Sequence, residues 1–355
     1  MENLVKKFYK NKKVLITGAT GFKGAWLCMW LNLMGAKVYG IGSSPNKNKN
    51  LFYSLKLNHK INLKIIDIRN KKKLKKTINS IKPQILFHMA AQPLIIESYL
   101  EPYKTYTVNS LGTLNILEIV RETDFVKSLV CITSDKCYES NNSIQGFKEN
   151  DKLGGEDPYS GSKSVAEIMI KTYYKSFIQN KKCGVASARA GNVIGGGDWS
   201  ENRLVPDCIM SLLSNKIINI RNPNFNRPWQ HVLEPLNGYL MLAKKIYINP
   251  KKYSGPWNFG TQKNTVTDVE NIVRSIIKFW GSGKIKIKKK RKYYEQINLQ
   301  LDISKSKRLL KWRPKYSIKK SVKVTVDWYK EVLIDKKNPI NITEKQILDF
   351  MSYGK

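Results

Sequence analysis

The sequence predicts an α/β fold with a doubly wound parallel sheet and a smaller C-terminal lobe. Short apolar runs rich in β-branched residues alternate with amphipathic helical patterns through the first half of the chain. A glycine-rich turn follows the first of these runs. Polar motifs follow several of the later runs, at the strand ends where ligands bind in such sheets. These three observations agree on one architecture.

The first strand is predicted at residues 13–16, and the glycine-rich turn comes directly after it. Apolar side chains then recur at helical spacing over residues 26–34, and Gly35 marks the end of that helix. Helical patterns separate most of the later strands, so the crossovers are expected to be right-handed. Further strands are predicted at residues 37–41, 63–66, 85–88, 128–133 and 183–189.

The strand and helix alternation stops after Arg189. Residues 191–199 are rich in glycine, and proline, asparagine, tryptophan and arginine gather in 221–231. We expect residues 1–190, with a return segment at about 232–264, to form one domain. Residues 191–231 and 265–355 are expected to form the smaller lobe, in which the lysine-rich stretch 284–292 is predicted to be loosely ordered.

The composition bounds the class of protein. A chain of 355 residues with 41% hydrophobic residues can bury one large domain with a lobe. No N-terminal stretch joins a basic flank to an uninterrupted apolar segment, so a signal peptide is not expected. The apolar run 25–34 is too short to span a bilayer. The five cysteines form no CxxC pair, so we expect thiols in a reducing cytoplasm and no metal site.

The formal net charge of +36 raises the question of nucleic-acid binding. Lysine greatly outnumbers arginine and recurs along the whole chain beside asparagine and isoleucine, with its densest clusters at 71–76 and 284–292. A nucleic-acid groove would favour arginine and interleaved aromatics on one face. We therefore expect a solvated basic surface that attracts anionic nucleotides, with neither nucleic acid nor membrane as a partner.

The glycine-rich turn predicts a dinucleotide site in a Rossmann domain. Gly18, Gly21 and Gly24 are spaced GxxGxxG between a strand and a helix, so the backbone can approach a pyrophosphate at the helix N-terminus. The second strand ends in residues 39–44 (YGIGSS), which hold neither an acid nor a base to choose between NAD and NADP. Asp67 could accept from an adenine amino group or cap a helix.

The second motif is YSGSK at residues 159–163. Asp157 and Pro158 precede it as a helix start, so Tyr159 and Lys163 should project from one helix face. A neighbouring ammonium ion and the positive ring of a bound nicotinamide both favour the phenolate, and we expect them together to bring the pKa of Tyr159 from near 10 toward the working pH. This pair predicts a base that takes a proton from a substrate hydroxyl.

The predicted fifth strand ends in TSDKCY at residues 133–138. The hydroxyl of Ser134 would share the substrate proton with Tyr159. A simple oxidation would need only Ser134, Tyr159 and Lys163, so Asp135 and Lys136 suggest further acid–base chemistry. The alternative is a capped turn with a surface ion pair.

Further motifs make the chain resemble the extended short-chain dehydrogenase/reductase family, and within it the CDP-glucose 4,6-dehydratases. The resemblance covers roughly residues 10–330. Its motifs, in order, are TGATGFKG at 17–24, HMAAQP at 88–93, TSDKCY at 133–138, DPYS at 157–160, RAGNVIGGGDW at 189–199, RPWQHVLEP at 227–235, WNFG at 257–260, LDISK at 301–305 and LKWRP at 310–314.

The resemblance implies a fold in which a Rossmann domain holds NAD and the lobe holds a nucleotide sugar. It implies that CDP-glucose is oxidised at C4, loses water across C5 and C6, and is reduced at C6. The implied catalytic residues are Ser134, Asp135, Lys136, Tyr159 and Lys163. The implied coenzyme contacts are Gly18, Gly21, Phe22, Lys23, Gly24, Asp67, Ile68, Ala90, Ala91, Gln92, Asn109, Tyr159 and Lys163. The implied substrate contacts are Gln92, Asn192, Arg203, Arg221 and Arg227.

Several points stay open at this stage. Related dehydratases carry glutamate at the position of Lys136, so this lysine is either the C5 base or a charge that stabilises the enolate. The arginines and Asn192 could instead cap turns or form loop ion pairs. His88 is expected to pack beneath the site, and the helix after Asp157 could pair two copies in a homodimer or homotetramer.

Three other functions compete with the dehydratase. An epimerase would keep Tyr159 and Lys163 without needing Asp135, and a dehydratase could act on another nucleoside diphosphate hexose. A non-catalytic protein could use NAD as a signal, although the intact serine, tyrosine and lysine set argues against this.

Overall fold

The computed structural model describes residues 2–44, 50–140, 146–220, 222–262, 267–287 and 299–353. Within them, one seven-stranded sheet forms the centre, with strand order β11-β6-β5-β4-β1-β2-β3 and every pairing parallel. Its strands are β1 (Lys13–Thr17), β2 (Lys37–Gly42), β3 (Asn62–Ile65), β4 (Ile85–His88), β5 (Ser128–Ile132), β6 (Gly184–Ala190) and β11 (Gly255–Phe259). The doubly wound parallel sheet is confirmed.

Helices cover both faces of this sheet. Side chains alternate along β1, so that Val14 and Ile16 join one apolar cluster and Leu15 joins the other. The helices are α1 (Glu2–Tyr9), α2 (Phe22–Leu33), α3 (Leu51–Ser54), α4 (Lys71–Ile81), α5 (Ile95–Leu100), α6 (Pro102–Tyr106), α7 (Gly112–Arg121), α8 (Pro158–Tyr173), α9 (Leu204–Leu213), α10 (Leu233–Ile248), α11 (Pro250–Tyr253), α12 (Val269–Trp280), α13 (Ile318–Leu333) and α14 (Pro339–Ser352). None of the described helices is long and apolar enough to cross a bilayer.

Three two-stranded sheets lie outside the central one. They pair β7 (Val193–Ile194) with β10 (Gln230–His231), β8 (Ile218–Ile220) with β13 (Ile285–Ile287), and β9 (Asn226–Arg227) with β12 (Thr267–Asp268). The expectation that 284–292 is loosely ordered is wrong for β13, whose backbone pairs in register with β8. Residues 288–292 lie outside the described residues.

A buried carboxyl group joins the C-terminal helices to the sheet. Glu234, in the first turn of α10, accepts hydrogen bonds through Oε1 from the backbone N–H groups of Lys315 (2.9 Å) and Tyr316 (2.6 Å). Its Oε2 is buried and has no hydrogen-bond partner among the described residues. Burial raises the pKa of Glu234 from 4.5 to about 7.

This pKa predicts a loss of stability with rising pH. Between 4.5 and about 7 the unfolded chain has lost a proton that the native protein keeps, so the free energy of unfolding falls across this window. The shift corresponds to roughly 3 kcal/mol. Glu234→Gln keeps an acceptor for the two N–H groups, so we expect it to be more stable than wild type above pH 7 and to lack the decline. Urea unfolding over a pH series measures this, and a variant less stable at every pH would contradict it.

Candidate active site

The turn after β1 leaves room for a ligand's phosphates. Gly18 has a positive φ of 74°, and a Cβ there would lie 2.7 Å from the backbone nitrogen of Ala90. A Cβ on Gly24 would lie 2.1 Å from the carbonyl oxygen of Gly18. Gly21 caps α2 without a side-chain hydrogen bond, so no side chain occupies the N–H groups at the helix start. The turn therefore fits a dinucleotide pyrophosphate.

A buried hydrogen-bonded chain supports this turn from below. The hydroxyl of Thr17 lies 2.8 Å from Nδ1 of His88, and Nε2 of His88 lies 3.0 Å from the hydroxyl of Thr113. The backbone N–H of Ala90 donates to the hydroxyl of Thr17 (3.3 Å). Burial lowers the pKa of His88 to about 3, so the imidazole is neutral and packs beneath the site, as predicted.

The segment after β4 is held by two buried amides. Asn109 accepts from the backbone N–H of Gln92 (2.8 Å) and donates to its carbonyl (3.1 Å) and to the hydroxyl of Ser162 (2.9 Å). The amide of Gln92 donates to Leu94 and Thr105. Both side chains therefore form their hydrogen bonds within the protein, and these bonds hold the backbone segment that includes Ala90 and Ala91. Direct contact of Gln92 or Asn109 with a ligand stays a prediction.

At the end of β3, Asp67 is half exposed and binds Arg69. Its carboxylate accepts from the backbone N–H of Arg69 (2.9 Å) and pairs with the guanidinium (2.6 Å), which lowers the pKa of Asp67. The helix-cap alternative is wrong for α4, because Asn70 caps that helix. Ile68 is buried beside Gly112, where a Cβ would lie 2.4 Å from its side chain. The adenine contact of Asp67 stays a prediction.

A cleft of about 1020 Å³ opens beyond the carboxyl ends of β1, β5 and β6. It brings together side chains from the start of α2, from the end of β5, from α8 and from residues 190–229. The predicted site residues that line it are Phe22, Lys23, Ser134, Asp135, Lys136, Tyr159, Asn192, Arg203 and Arg227. Arg221 lies outside the described residues.

Tyr159 and Lys163 come from α8, which starts as predicted. Asp157 caps the helix by accepting from the backbone N–H of Ser160 (3.0 Å), and Pro158 occupies its first turn. Tyr159 is buried and hydrogen-bonded to Ser134. Lys163 is also buried, and its ammonium donates to the carbonyl of Ile132 at the end of β5 (3.4 Å).

The protein groups alone raise the pKa of Tyr159. Burial raises the pKa to about 12, although the hydrogen bond from Ser134 and the charge of Arg203 act in the opposite direction. Burial also lowers the pKa of Lys163 to about 8. The ammonium of Lys163 therefore favours the phenolate of Tyr159 less than a fully charged lysine would. The protein groups alone therefore do not bring the phenol to the working pH, and a cation bound beside it would have to supply the rest.

Asp135 is buried at the wall of the cleft, and its two carboxyl oxygens differ in their hydrogen bonding. Ser134 donates to its Oδ1 (3.1 Å), while its Oδ2 has no hydrogen-bond partner among the described residues. A Cβ on Gly191 would lie 3.0 Å from this Oδ2, so only a glycine there leaves the oxygen uncovered. Burial raises the pKa of Asp135, against the charges of Lys136 and Arg227. A carboxylic acid held this way can donate a proton to a bound ligand.

Three basic side chains face the cleft around this acid. Arg203 forms an ion pair with the buried Asp198 (3.0 Å), which aims the guanidinium along the wall. Arg227 is buried and donates to the carbonyl of Asn226 (2.9 Å). Burial and the charge of Arg203 lower the pKa of Lys23 to about 8. The cleft is therefore suited to an anionic ligand that carries phosphates.

Comparison with known proteins assigns the family. The family model described as GDP-mannose 4,6-dehydratase matches residues 15–325. The chain belongs to the GDP-mannose 4,6-dehydratase family. It is similar to the CDP-glucose 4,6-dehydratase of Salmonella typhimurium, with 41% identity over 98% of each chain.

Solved structures share the fold of this family member. The dTDP-glucose 4,6-dehydratase of Bacillus anthracis, determined in complex with NAD, has a TM-score of 0.77 and 23% identity, covering 91% of this chain and 98% of that one. The UDP-glucose 4-epimerase of Thermotoga maritima, determined with UDP-glucose, has a TM-score of 0.79 and 22% identity, covering 90% and 99%.

The sequence reasoning missed one charged residue beside the site of this family member. Glu167 is buried four residues after Lys163 and forms an ion pair with Arg189 of β6 (2.6 Å). The spacing of Lys163 and Glu167 on one helix face was the available signal. The partner on β6 could not be read from spacing, because the pairing crosses from helix to sheet.

Proposed function

We propose that this chain is an NAD-dependent 4,6-dehydratase that converts CDP-glucose to CDP-4-keto-6-deoxyglucose. The observation that carries the proposal is the 41% identity to a CDP-glucose 4,6-dehydratase over 98% of both chains. The cleft supports the same reaction, since it combines a tyrosine and serine pair with a buried acid whose Oδ2 has no hydrogen-bond partner in the described part of the chain.

The coenzyme fits the turn after β1. Gly18 and Gly24 leave the space that a pyrophosphate needs, and the start of α2 offers N–H donors. NAD held there would supply a hydride acceptor for C4 of the glucosyl group and, once reduced, a hydride donor for C6. Phe22 and Lys23 line the cleft next to this position.

Proton removal from the C4 hydroxyl falls to Tyr159. The phenolate accepts the O4 proton, and the Ser134 hydroxyl favours the ionised form when its single proton turns from Oδ1 of Asp135 to the phenolate. The ammonium of Lys163 and the positive nicotinamide stabilise the same phenolate against the cost of burial. The resulting 4-ketone makes the hydrogen on C5 acidic.

Water then leaves across C5 and C6, with Asp135 as the acid. Burial raises its pKa and so favours the protonated carboxyl group, and that proton passes to the departing 6-hydroxyl, which leaves as water. The C5 proton passes first to a base in the cleft, and the electron pair of the C5–H bond is held as the enolate of the 4-ketone until it forms the C5–C6 double bond. An epimerase has no such step.

Lys136 lines the cleft beside Asp135, and we propose that its ammonium stabilises the enolate formed at C5. Lys136→Gln removes this charge and should slow exchange of the C5 proton with deuterated solvent by about 10²–10³-fold. Lys136→Arg keeps a charge that cannot act as a base, so we expect it to retain most of the exchange. Equal loss in both variants would instead make the amine the C5 base.

The diphosphate of the substrate is assigned to the basic side of the cleft. Arg203 and Arg227 offer guanidinium groups, and Asn192 lies next to them on the wall. Arg221 is assigned to the same set on the resemblance of its segment alone. The net charge of +36 would favour the approach of an anionic nucleotide sugar.

Product analysis tests the function directly. The purified protein is incubated with NAD and, separately, with CDP-, dTDP-, GDP- and UDP-hexoses. We expect loss of one water from CDP-glucose by mass spectrometry and the enone absorbance of a 4-keto-6-deoxy sugar under alkali. An isomer of unchanged mass would indicate an epimerase, and no turnover of any sugar would overturn the proposal.

Assembly and location follow from the same proposal. Apolar side chains on α6 to α8 are exposed, among them Tyr103 (81%), Ile168 (52%) and Phe177 (49%). We assign this surface to a homodimer, with a homotetramer as its possible extension. We place the protein in the cytoplasm, where its five buried, unpaired cysteines would stay reduced.

A further inference from the structure

One buried carboxylate connects the two segments that carry the catalytic side chains, the end of β5 and α8, to β6. Glu167 of α8 accepts through Oε1 from the hydroxyl of Thr133 (2.5 Å). Through Oε2 it accepts from the hydroxyl of Ser187 (2.7 Å) and from Nη2 of Arg189 (2.6 Å). Thr133 directly precedes Ser134, so Glu167 fixes the end of β5 relative to α8 and β6.

The partner of this carboxylate is itself anchored. The Arg189 side chain is 3% exposed and that of Glu167 is 2% exposed. Nη1 of Arg189 donates to the hydroxyl of Tyr138 (2.7 Å) and to the carbonyl of Glu149 (3.0 Å). The guanidinium also lies over the ring of Tyr138, 4.7 Å from its centre. Glu167 is therefore held in one place, as a preorganised charge requires.

We propose that Glu167, paired with Arg189, is a positioning residue of the dehydratase reaction, which orients Ser134 through Thr133 and places a carboxylate one helical turn from Lys163. The inference rests on the proposed function. Glu167 lies four residues after Lys163, one turn along the same buried helix face.

The electrostatic environment of Lys163 agrees with this role. Burial lowers the pKa of Lys163 to about 8, and the carboxylate of Glu167 is the first of the charges that raise it. The other titratable groups that face Lys163 are Cys131 and Cys137 at the end of β5, His88 from β4 and Lys23 from α2. Removing the charge of Glu167 should therefore lower the pKa of Lys163 further.

The test compares kcat over a range of pH in Glu167→Gln and Glu167→Asp. With Gln the ammonium is lost at lower pH, so we expect the alkaline fall of kcat to move down by about one unit, with about tenfold loss above it. Asp keeps the charge but is shorter by one methylene, so we expect a lower kcat with the alkaline fall at its wild-type pH. Thr133→Val should lower kcat as Glu167→Asp does, with the alkaline fall at its wild-type pH, because it breaks only the contact that leads toward Ser134.

A purely structural role predicts a different pattern. The proposal is overturned if Glu167→Gln and Glu167→Asp lower kcat by the same factor at every pH. It is also overturned if Glu167→Gln retains the wild-type pH profile. Should the single Gln variant fail to fold because Arg189 is left unpaired, the neutral double variant Glu167→Gln with Arg189→Gln is used, and the same alkaline shift is expected.

The wild-type protein separates this inference from the proposed function. If wild type forms no product from CDP-glucose, the proposed function fails. If wild type is active and the variant profiles coincide with its own, only the role of Glu167 fails. Coenzyme retention and thermal unfolding of each variant, measured alongside, show that the compared proteins are folded.

Discussion

Replacing Tyr159 with phenylalanine is expected to lower kcat by about 10²–10⁴-fold. The phenol is the group in the cleft that can accept the O4 proton, since Ser134 is hydrogen-bonded to it and Lys163 is committed to the carbonyl of Ile132. Removing one oxygen from a buried ring leaves the packing of α8 intact, so the loss should appear in kcat with little change in thermal stability. Steady-state rates of 4-keto product formation measure it.

The matched control for this variant is Tyr103→Phe. Tyr103 is 81% exposed and lies outside the cleft, so loss of its hydroxyl should leave kcat unchanged. Retention of NAD by Tyr159→Phe should match wild type within a few fold, because the pyrophosphate turn is untouched. A variant that turns over at half the wild-type rate would remove Tyr159 from its assigned role.

The pKa of Tyr159 makes a further expectation about this base. Burial sets the pKa at about 12 in the protein alone, so the positive nicotinamide and the ammonium of Lys163 must together favour the phenolate. The rate should therefore rise with pH until Tyr159 is ionised, and fall again where Lys163 loses its proton. The two limbs of the profile would belong to neighbouring groups that titrate as a coupled pair.

The sheet and the cleft could be predicted from the sequence because their signals are local. Each strand of the first half is a short apolar run, and each crossover carries helical spacing, so strand order and ligand edge follow from general rules. Asp157 and Pro158 likewise fix the start of α8 within one turn. Tyr159 and Ser134 then meet because α8 starts at the same edge of the sheet at which β5 ends.

The contacts that could not be predicted are those between distant segments. Glu167 binds Thr133, Ser187 and Arg189, which lie 34, 20 and 22 residues away in the chain. The side chains of Gln92 and Asn109 were predicted to contact a ligand. In the structure the Asn109 side chain binds the backbone of Gln92, and the Gln92 amide binds the hydroxyl of Thr105. No local pattern encodes such pairings. The raised pKa of Tyr159 escaped prediction for the same reason, since burial is a property of the folded protein.

Replacing Asp135 with asparagine is expected to separate oxidation from dehydration. Asparagine has nearly the same shape and can still accept from Ser134, but it has no proton to give to the 6-hydroxyl. Oxidation at C4 should continue, so reduced nicotinamide should accumulate to about one equivalent per site, while product formation falls by about 10²–10⁴-fold. Near-ultraviolet absorbance after rapid mixing with CDP-glucose reports the first step, and mass spectrometry reports the second.

The comparison variant is Asp198→Asn, which alters another buried aspartate in the same cleft. Asp198 pairs with Arg203, so its loss should raise the KM for the nucleotide sugar without accumulation of reduced coenzyme. If Asp135→Asn slowed both steps equally, Asp135 would be no more than a cap for the turn after β5. Accumulation in Asp135→Asn alone would instead locate the acid at Oδ2, the buried oxygen for which the described ranges of the chain provide no hydrogen-bond partner.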